Sequence, residues 1–90
     1  MSVNVSIIIR TKNEGKWLSD CLEGIKNQNF KNYEIIVVDD NSTDDTEKVV
    51  NKLIDINKQI RLIKRESPKS LPLSILEGIK KSIYENVLWL

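Results

Sequence analysis

Histidine is absent from the 90-residue chain and cysteine occurs once, at Cys21. Histidine-built zinc sites and histidine-dependent catalytic triads are therefore excluded, no internal disulfide can form, and a reducing compartment fits. Only three glycines occur, Gly15, Gly24 and Gly78, so neither a G-x-G-x-x-G dinucleotide loop nor a Walker A loop can be assembled. The acidic run from Asp39 to Asp45 lacks the glycine and distal glutamate of a calcium loop. A surplus of one charge sign is missing too: 14 Lys and Arg face 13 Asp and Glu, net +1. No basic field marks a nucleic acid partner, and no acidic excess marks a disordered tail. Apolar runs such as Ile35 to Val38 are far too short to span a bilayer, and the N-terminus lacks a signal peptide's basic start and apolar stretch. The expectation is a soluble cytoplasmic chain, with the inner face of a membrane as an alternative place of work. What is present is aliphatic bulk: 13 Ile, 9 Leu and 7 Val, enough for one small core.

The apolar pattern alternates between two periods. Val3, Val5 and Ile7 to Ile9 are β-branched and nearly continuous, then give way to polar residues from Arg10, as in a strand buried on both faces. Trp17, Leu18, Cys21, Leu22 and Ile25 form a helical stripe that ends near Asn27 to Asn29. Tyr33 to Val38 make a second strand, broken by Asp39, Asp40, Asn41, Ser42 and Thr43. Ser42 with Asp45 fits a capping box, and Val49, Val50, Leu53 and Ile54 continue into a second helix. Ile60, Leu62 and Ile63 give a third strand. Leu71, Ile75, Ile79 and Ile83 give a third helix, with Ser70 as cap and Pro72 in its first turn, reaching about Tyr84. Val87 to Leu90 open a fourth strand, with Trp89 expected in the core. Alternation of this kind predicts an open, mainly parallel, Rossmann-like α/β sheet with right-handed crossovers. The loops at 10–15, 39–45 and 64–70 then share the carboxyl rim, where such sheets bind ligands.

Asp39 and Asp40 are the sharpest feature of that rim. Adjacent carboxylates at the end of a buried strand lose hydration and repel each other unless donors offset the loss. One could accept hydrogen bonds from a nucleobase or ribose while its neighbour ties the loop; equally, both could only cap the next helix. Thr11, Lys12, Asn13 and Glu14 can present a hydroxyl, an ammonium, an amide and a carboxylate to the same space, or form a solvated turn. Lys64, Arg65 and Lys69 could meet a diphosphate, Arg65 as a bidentate fork, or remain loop charges. Asp44 and Asp45 suit the positive end of a helix.

These residues resemble a known family. The segment Val5-Ser-Ile-Ile-Ile-Arg-Thr-Lys-Asn-Glu14, then Cys21-Leu22, Gln28-Asn-Phe30 and Tyr33-Glu-Ile-Ile-Val-Val-Asp-Asp-Asn-Ser-Thr-Asp-Asp-Thr46, is similar to the start of the family 2 glycosyltransferases, which use the A-type fold. The resemblance implies a nucleotide-sugar site in which Thr11, Lys12, Asn13 and Glu14 border the nucleoside, Asp39 accepts a hydrogen bond from the base and Asp40 supports the loop. It also implies a divalent cation, manganese or magnesium, held by an Asp-x-Asp motif after the fourth strand, and a later carboxylate acting as base. Neither is in this sequence, so residues 1–90 are expected to be the N-terminal donor-binding portion, ending just before that motif. Arg10 and Lys12 stand where relatives often have Pro and Tyr. Residues 64–69 lack the usual Asn and Gly, and Leu76 replaces a frequent Asn, which tells against phosphate contacts by this loop; Arg65 is the candidate if one is made.

The expected activity is sugar transfer from a nucleoside diphosphate to a hydroxyl on a saccharide, lipid or protein, with this chain inactive alone. The alternative is a noncatalytic α/β binding or interaction module. A phosphoacceptor receiver is disfavoured, because the first strand ends in Arg10 and Thr11 and the third in Lys64, where acidic residues belong. A homodimer through an exposed edge of the sheet is a further expectation.

Overall fold

The computed structural model describes residues 4–26, 32–65 and 71–89, without the side chains of residues 26 and 71–74. Val3, the helix end at Asn27 to Asn29, the loop residues Pro68 and Lys69, the cap at Ser70 and the strand end at Leu90 lie outside the described residues. The elements are β1 (Asn4–Thr11), α1 (Gly15–Lys26), β2 (Asn32–Asp40), α2 (Thr46–Ile56), β3 (Ile60–Arg65), α3 (Leu71–Lys81) and β4 (Val87–Trp89). The four strands form one parallel sheet in the order β3-β2-β1-β4. The order reverses between β1 and β4, the kind of switch point at which open α/β sheets take ligands.

Strand parity divides the core. Val5, Ile7, Ile9, Ile35, Val37 and Ile60 pack with Leu18, Leu22 and Ile25 of α1 and Val50 of α2. The opposite face carries a smaller cluster of Ile8, Ile36 and Val38, with Ile63 against it. There α3 crosses β1 so closely that a Cβ on Gly78 would lie 2.5 Å from Ile8 Cγ2, so only glycine fits. The near-continuous β-branched runs follow from this two-sided burial.

Three strands extend beyond their apolar runs. Arg10 and Thr11 belong to β1, Asp39 and Asp40 to β2, and Lys64 and Arg65 to β3, because the ladder pairs Thr11 with Asp39, Asp39 with Lys64 and Asp40 with Arg65. Polarity marks where side chains leave the core, whereas backbone pairing continues as long as neighbours supply donors and acceptors. Helix α3, in contrast, ends at Lys81, short of Tyr84. The Ser82 N–H bonds to Ile79 O, and the next two N–H groups are drawn away, Ile83 to Glu34 and Tyr84 to Ser6.

The expected capping box of Ser42 and Asp45 does not form. Asp45 is the N-cap of α2 but makes no side-chain cap bond. Asp44 instead accepts from the Thr46 N–H at 2.9 Å and from the Thr46 hydroxyl. Trp17 is 47% exposed although it begins the α1 stripe. A step of 100° per residue sets it on the flank beside buried Leu18. Trp89 is not in the core either. It is 54% exposed on β4, which pairs with β1 alone among the described strands, and Val87 and Leu88 are exposed with it.

Candidate functional site

At the carboxyl end of the sheet two loops are clasped together. The Lys12 ammonium donates to the Asn41 carbonyl, and the Asn13 N–H donates to Ser42 Oγ at 2.9 Å. Asn13 Oδ1 accepts from the N–H groups of Thr43 at 2.8 Å and Asp44 at 3.2 Å. Glu14 accepts from the Lys12 N–H at 3.2 Å, and its carbonyl receives the Leu18 N–H at the start of α1. Both hinges of the clasp are asparagines with positive φ, 53° at Asn13 and 63° at Asn41. Asparagine enters that region more readily than other residues with a Cβ, since its short amide bonds nearby backbone.

Beneath the clasp lies Asp39, fully buried on the α1/α2 face. Its Oδ1 accepts from the Ser42 N–H at 3.1 Å and from the Ser42 hydroxyl. Its Oδ2 has no hydrogen-bond partner, nor has Oγ1 of Thr11, the fully buried residue opposite it in the ladder. Unpaired polar atoms at such depth are rare, because each forgoes water without compensation. Here two belong to residues paired across the β1–β2 ladder. The arrangement can offer one acceptor and one hydroxyl to a polar edge placed between the strand ends.

Asp40 points to the other face, toward α3, as strand parity requires. Fully buried, it sits 3.4 Å from Arg10 Nη2 and 3.5 Å from Arg65 Nη1. Asp39 ties the loop through its bonds to Ser42. Lys64 and Arg65 do not converge on one ligand, since consecutive strand residues face opposite ways: Lys64 bonds Glu47 of α2 at 2.8 Å, and Arg65 turns onto Asp40. Asp44 has its pKa lowered, mainly by the hydrogen bond from the Thr46 hydroxyl and then by the Thr46 N–H. Thr11, Lys12, Asn13, Glu14 and Asp39 are brought together at one rim; Asp40 and Arg65 lie on the reverse of the sheet.

Two features escape a reading of the sequence. Ser42, expected as a helix cap, is the hub that joins Asn13 to Asp39. At the amino end of the sheet, Glu34 accepts from the Ser6 hydroxyl at 2.6 Å, Arg61 at 2.6 Å and the Ile83 N–H at 2.7 Å. Burial pushes the Glu34 pKa up, but those three hydrogen bonds and the Arg61 charge outweigh it, and the net shift is downward. The signal available was a polar Ser6 and Glu34 inside otherwise apolar runs.

Among the described residues no group of three or more His, Cys, Asp or Glu could hold a metal ion, Asp40 is engaged by two arginines, and Asp39 faces the other way. Nor, among the described residues, is any helix long and apolar enough to cross a membrane.

A parallel sheet in the order β3-β2-β1-β4 with alternating helices defines a Rossmann-like α/β domain, and comparison with known proteins narrows it. The description Glycosyl transferase family 2 matches residues 6–90, and the chain belongs to that family. It is 31% identical over 84 residues to glycosyltransferase GlyG of Streptococcus pneumoniae, covering 87% of this chain and 28% of that protein. It is 40% identical over 68 residues to a GalNAc(5)-diNAcBac-PP-undecaprenol beta-1,3-glucosyltransferase of Campylobacter jejuni, covering 76% of this chain and 22% of that one. In structure it resembles the mannosyltransferase PcManGT of Pyrobaculum calidifontis, solved in complex with GDP-Man and Mn2+, with a TM-score of 0.87 at 22% identity over 97% of this chain and 26% of that chain. The A-type glycosyltransferase fold is shared, and the chain spans about a quarter of the length of these proteins.

Proposed function

We propose that this chain forms the nucleoside-binding part of a glycosyltransferase that moves a sugar from a nucleoside diphosphate to an acceptor hydroxyl. The observation that carries the reading is the unpartnered Oδ2 of buried Asp39 beside the unpartnered hydroxyl of Thr11. A nucleobase edge would supply the missing hydrogen bonds, and the clasp of Lys12, Asn13 and Glu14 against Asn41 and Ser42 would border the nucleoside. The PcManGT neighbour, solved with GDP-Man and Mn2+, supports the donor class and a divalent cation for the family. Arg65 would reach a phosphate only by leaving Asp40.

Sugar transfer needs the charge growing on the leaving diphosphate to be offset, and the acceptor hydroxyl to lose its proton to a base. The described residues at the rim hold and orient the nucleoside but supply neither. The 90-residue chain should therefore bind nucleotide without turnover. Titration with uridine or guanosine diphosphate should move the amide resonances of residues 11–14 and 39–42. Unmoved resonances there, with shifts elsewhere on adding a protein partner, favour a noncatalytic module. Sugar transfer by the purified chain would refute the donor-portion reading.

A further inference from the structure

The chain from Ile83 to Trp89 is held to the sheet differently from β1 and β2. It supplies the fourth strand, pairing Val87, Leu88 and Trp89 with Ser6, Ile7 and Ile8, yet every side chain along it is exposed or half-buried. Apolar burial, which fixes the inner strands, therefore contributes little to holding it. Its attachments are polar. The Ile83 N–H donates to Glu34 at 2.7 Å, the Tyr84 N–H to the Ser6 hydroxyl at 3.2 Å and the Asn86 side-chain amide to the Asn4 carbonyl at 3.0 Å. In return the Ser6 N–H donates to the Asn86 carbonyl at 2.8 Å. Two of these anchors, Ser6 and Glu34, are buried, and Glu34 is also gripped by Arg61 of β3 at 2.6 Å. The helix before the segment is seated independently. Gly78 lies against Ile8, Arg61 donates to the Lys81 carbonyl, and Ser82 bonds back to the carbonyls of Gly78 and Ile79. The boundary between what is packed and what is merely tied thus falls between Ser82 and Ile83. Segments with few buried apolar contacts open at lower free energy than the core beside them.

We propose that residues 83–89 form a strap that detaches from β1 as one unit while the three helices and the β3-β2-β1 sheet stay folded, with the bond from Ile83 to Glu34 as its catch. Release frees the β1 edge from Ser6 to Ile8, on the side of the sheet where strand order reverses. The rim clasp is left intact, since it joins the β1–α1 and β2–α2 loops. Native-state amide exchange of the 90-residue chain in low urea tests this. The amides of Ser6, Ile83 and Tyr84 report the strap, and those of Ile35 to Val38, in the strand paired on both sides, report the core. Strap amides should be less protected by about tenfold or more and respond less steeply to urea, because their opening exposes little surface. Equal protection and equal slope in the two sets would make the chain a single cooperative unit and overturn the proposal. Two substitutions then separate the strap from general stability. Ile35→Val trims the α1/α2 core, so it should speed exchange in β2 severalfold and leave the strap amides unchanged; equal acceleration of both sets contradicts a strap. Glu34→Gln removes the charge that grips the Ile83 N–H and should speed exchange of the strap amides about tenfold. Unchanged exchange there would refute Glu34 as the catch.

Discussion

The β1–β2 ladder contains two buried pairs of the same chemistry, Ser6 opposite Glu34 at the amino end and Thr11 opposite Asp39 at the carboxyl end. Each sets a hydroxyl beside a carboxylate. The Ser6–Glu34 pair is closed: hydroxyl meets carboxylate, Arg61 and the Ile83 N–H complete the acceptor, and Tyr84 donates to Ser6. The Thr11–Asp39 pair is open, with one oxygen of each side chain unpartnered. Similar burial thus serves two ends. The closed pair fastens the α3–β4 connection to the sheet, and the open pair keeps hydrogen-bonding capacity that folding has not used.

Breaking the closed pair should have the largest effect on stability. Glu34→Ala removes the acceptor of three hydrogen bonds and leaves Arg61 without its carboxylate, so urea unfolding should show a loss of about 2–4 kcal/mol with nucleotide affinity unchanged. The same residue should govern acid sensitivity. Its pKa is lowered from 4.5 on folding, so in acid the unfolded chain binds more protons and stability rises with pH there. The contribution is present above the ordinary glutamate value and is lost as pH falls below it. Glu34→Gln should flatten that acid limb of the stability profile.

The hydroxyls provide a finer comparison. Ser6→Ala should destabilise by about 1 kcal/mol, because it takes a donor from Glu34. Thr11→Val removes a buried hydroxyl that bonds nothing, so it should leave stability unchanged or raise it by about 1 kcal/mol while weakening nucleotide binding. Opposite signs in denaturant unfolding would sharpen the distinction between closed and open pairs, and equal losses would erase it. The smallest expected effect lies at the β4 edge. If the exposed Val87, Leu88 and Trp89 mediate self-association, sedimentation should show a concentration-dependent dimer that Leu88→Lys abolishes, with monomer stability changed by less than about 1 kcal/mol.

Much of this architecture could be read from residue order, because two-sided burial demands the unbroken runs Ile7 to Ile9 and Ile35 to Val38, and one-sided helices demand their stripes. Strand ends were less legible. Arg10, Asp40 and Arg65 stay in the ladder by pairing charge across neighbouring strands, which a hydropathy pattern does not record. The end of α3 was hidden for a similar reason, since it depends on Glu34 and Ser6, about fifty and eighty residues back along the chain. At the rim, composition singled out Asp39 and Asp40 but not their division of labour. Parity alone puts them on opposite faces, yet assigning loop-tying to Asp39 required knowing that Asn13 and Asn41 adopt positive φ and bring Ser42 over it.

The most direct measurement is paired: unfolding free energy and nucleoside diphosphate affinity for Asp39→Asn. An amide oxygen can still accept from Ser42, so stability should hold within about 1 kcal/mol, while the missing acceptor should weaken binding at least tenfold. A loss of several kcal/mol in stability with affinity unchanged would mean that Asp39 only ties the turn.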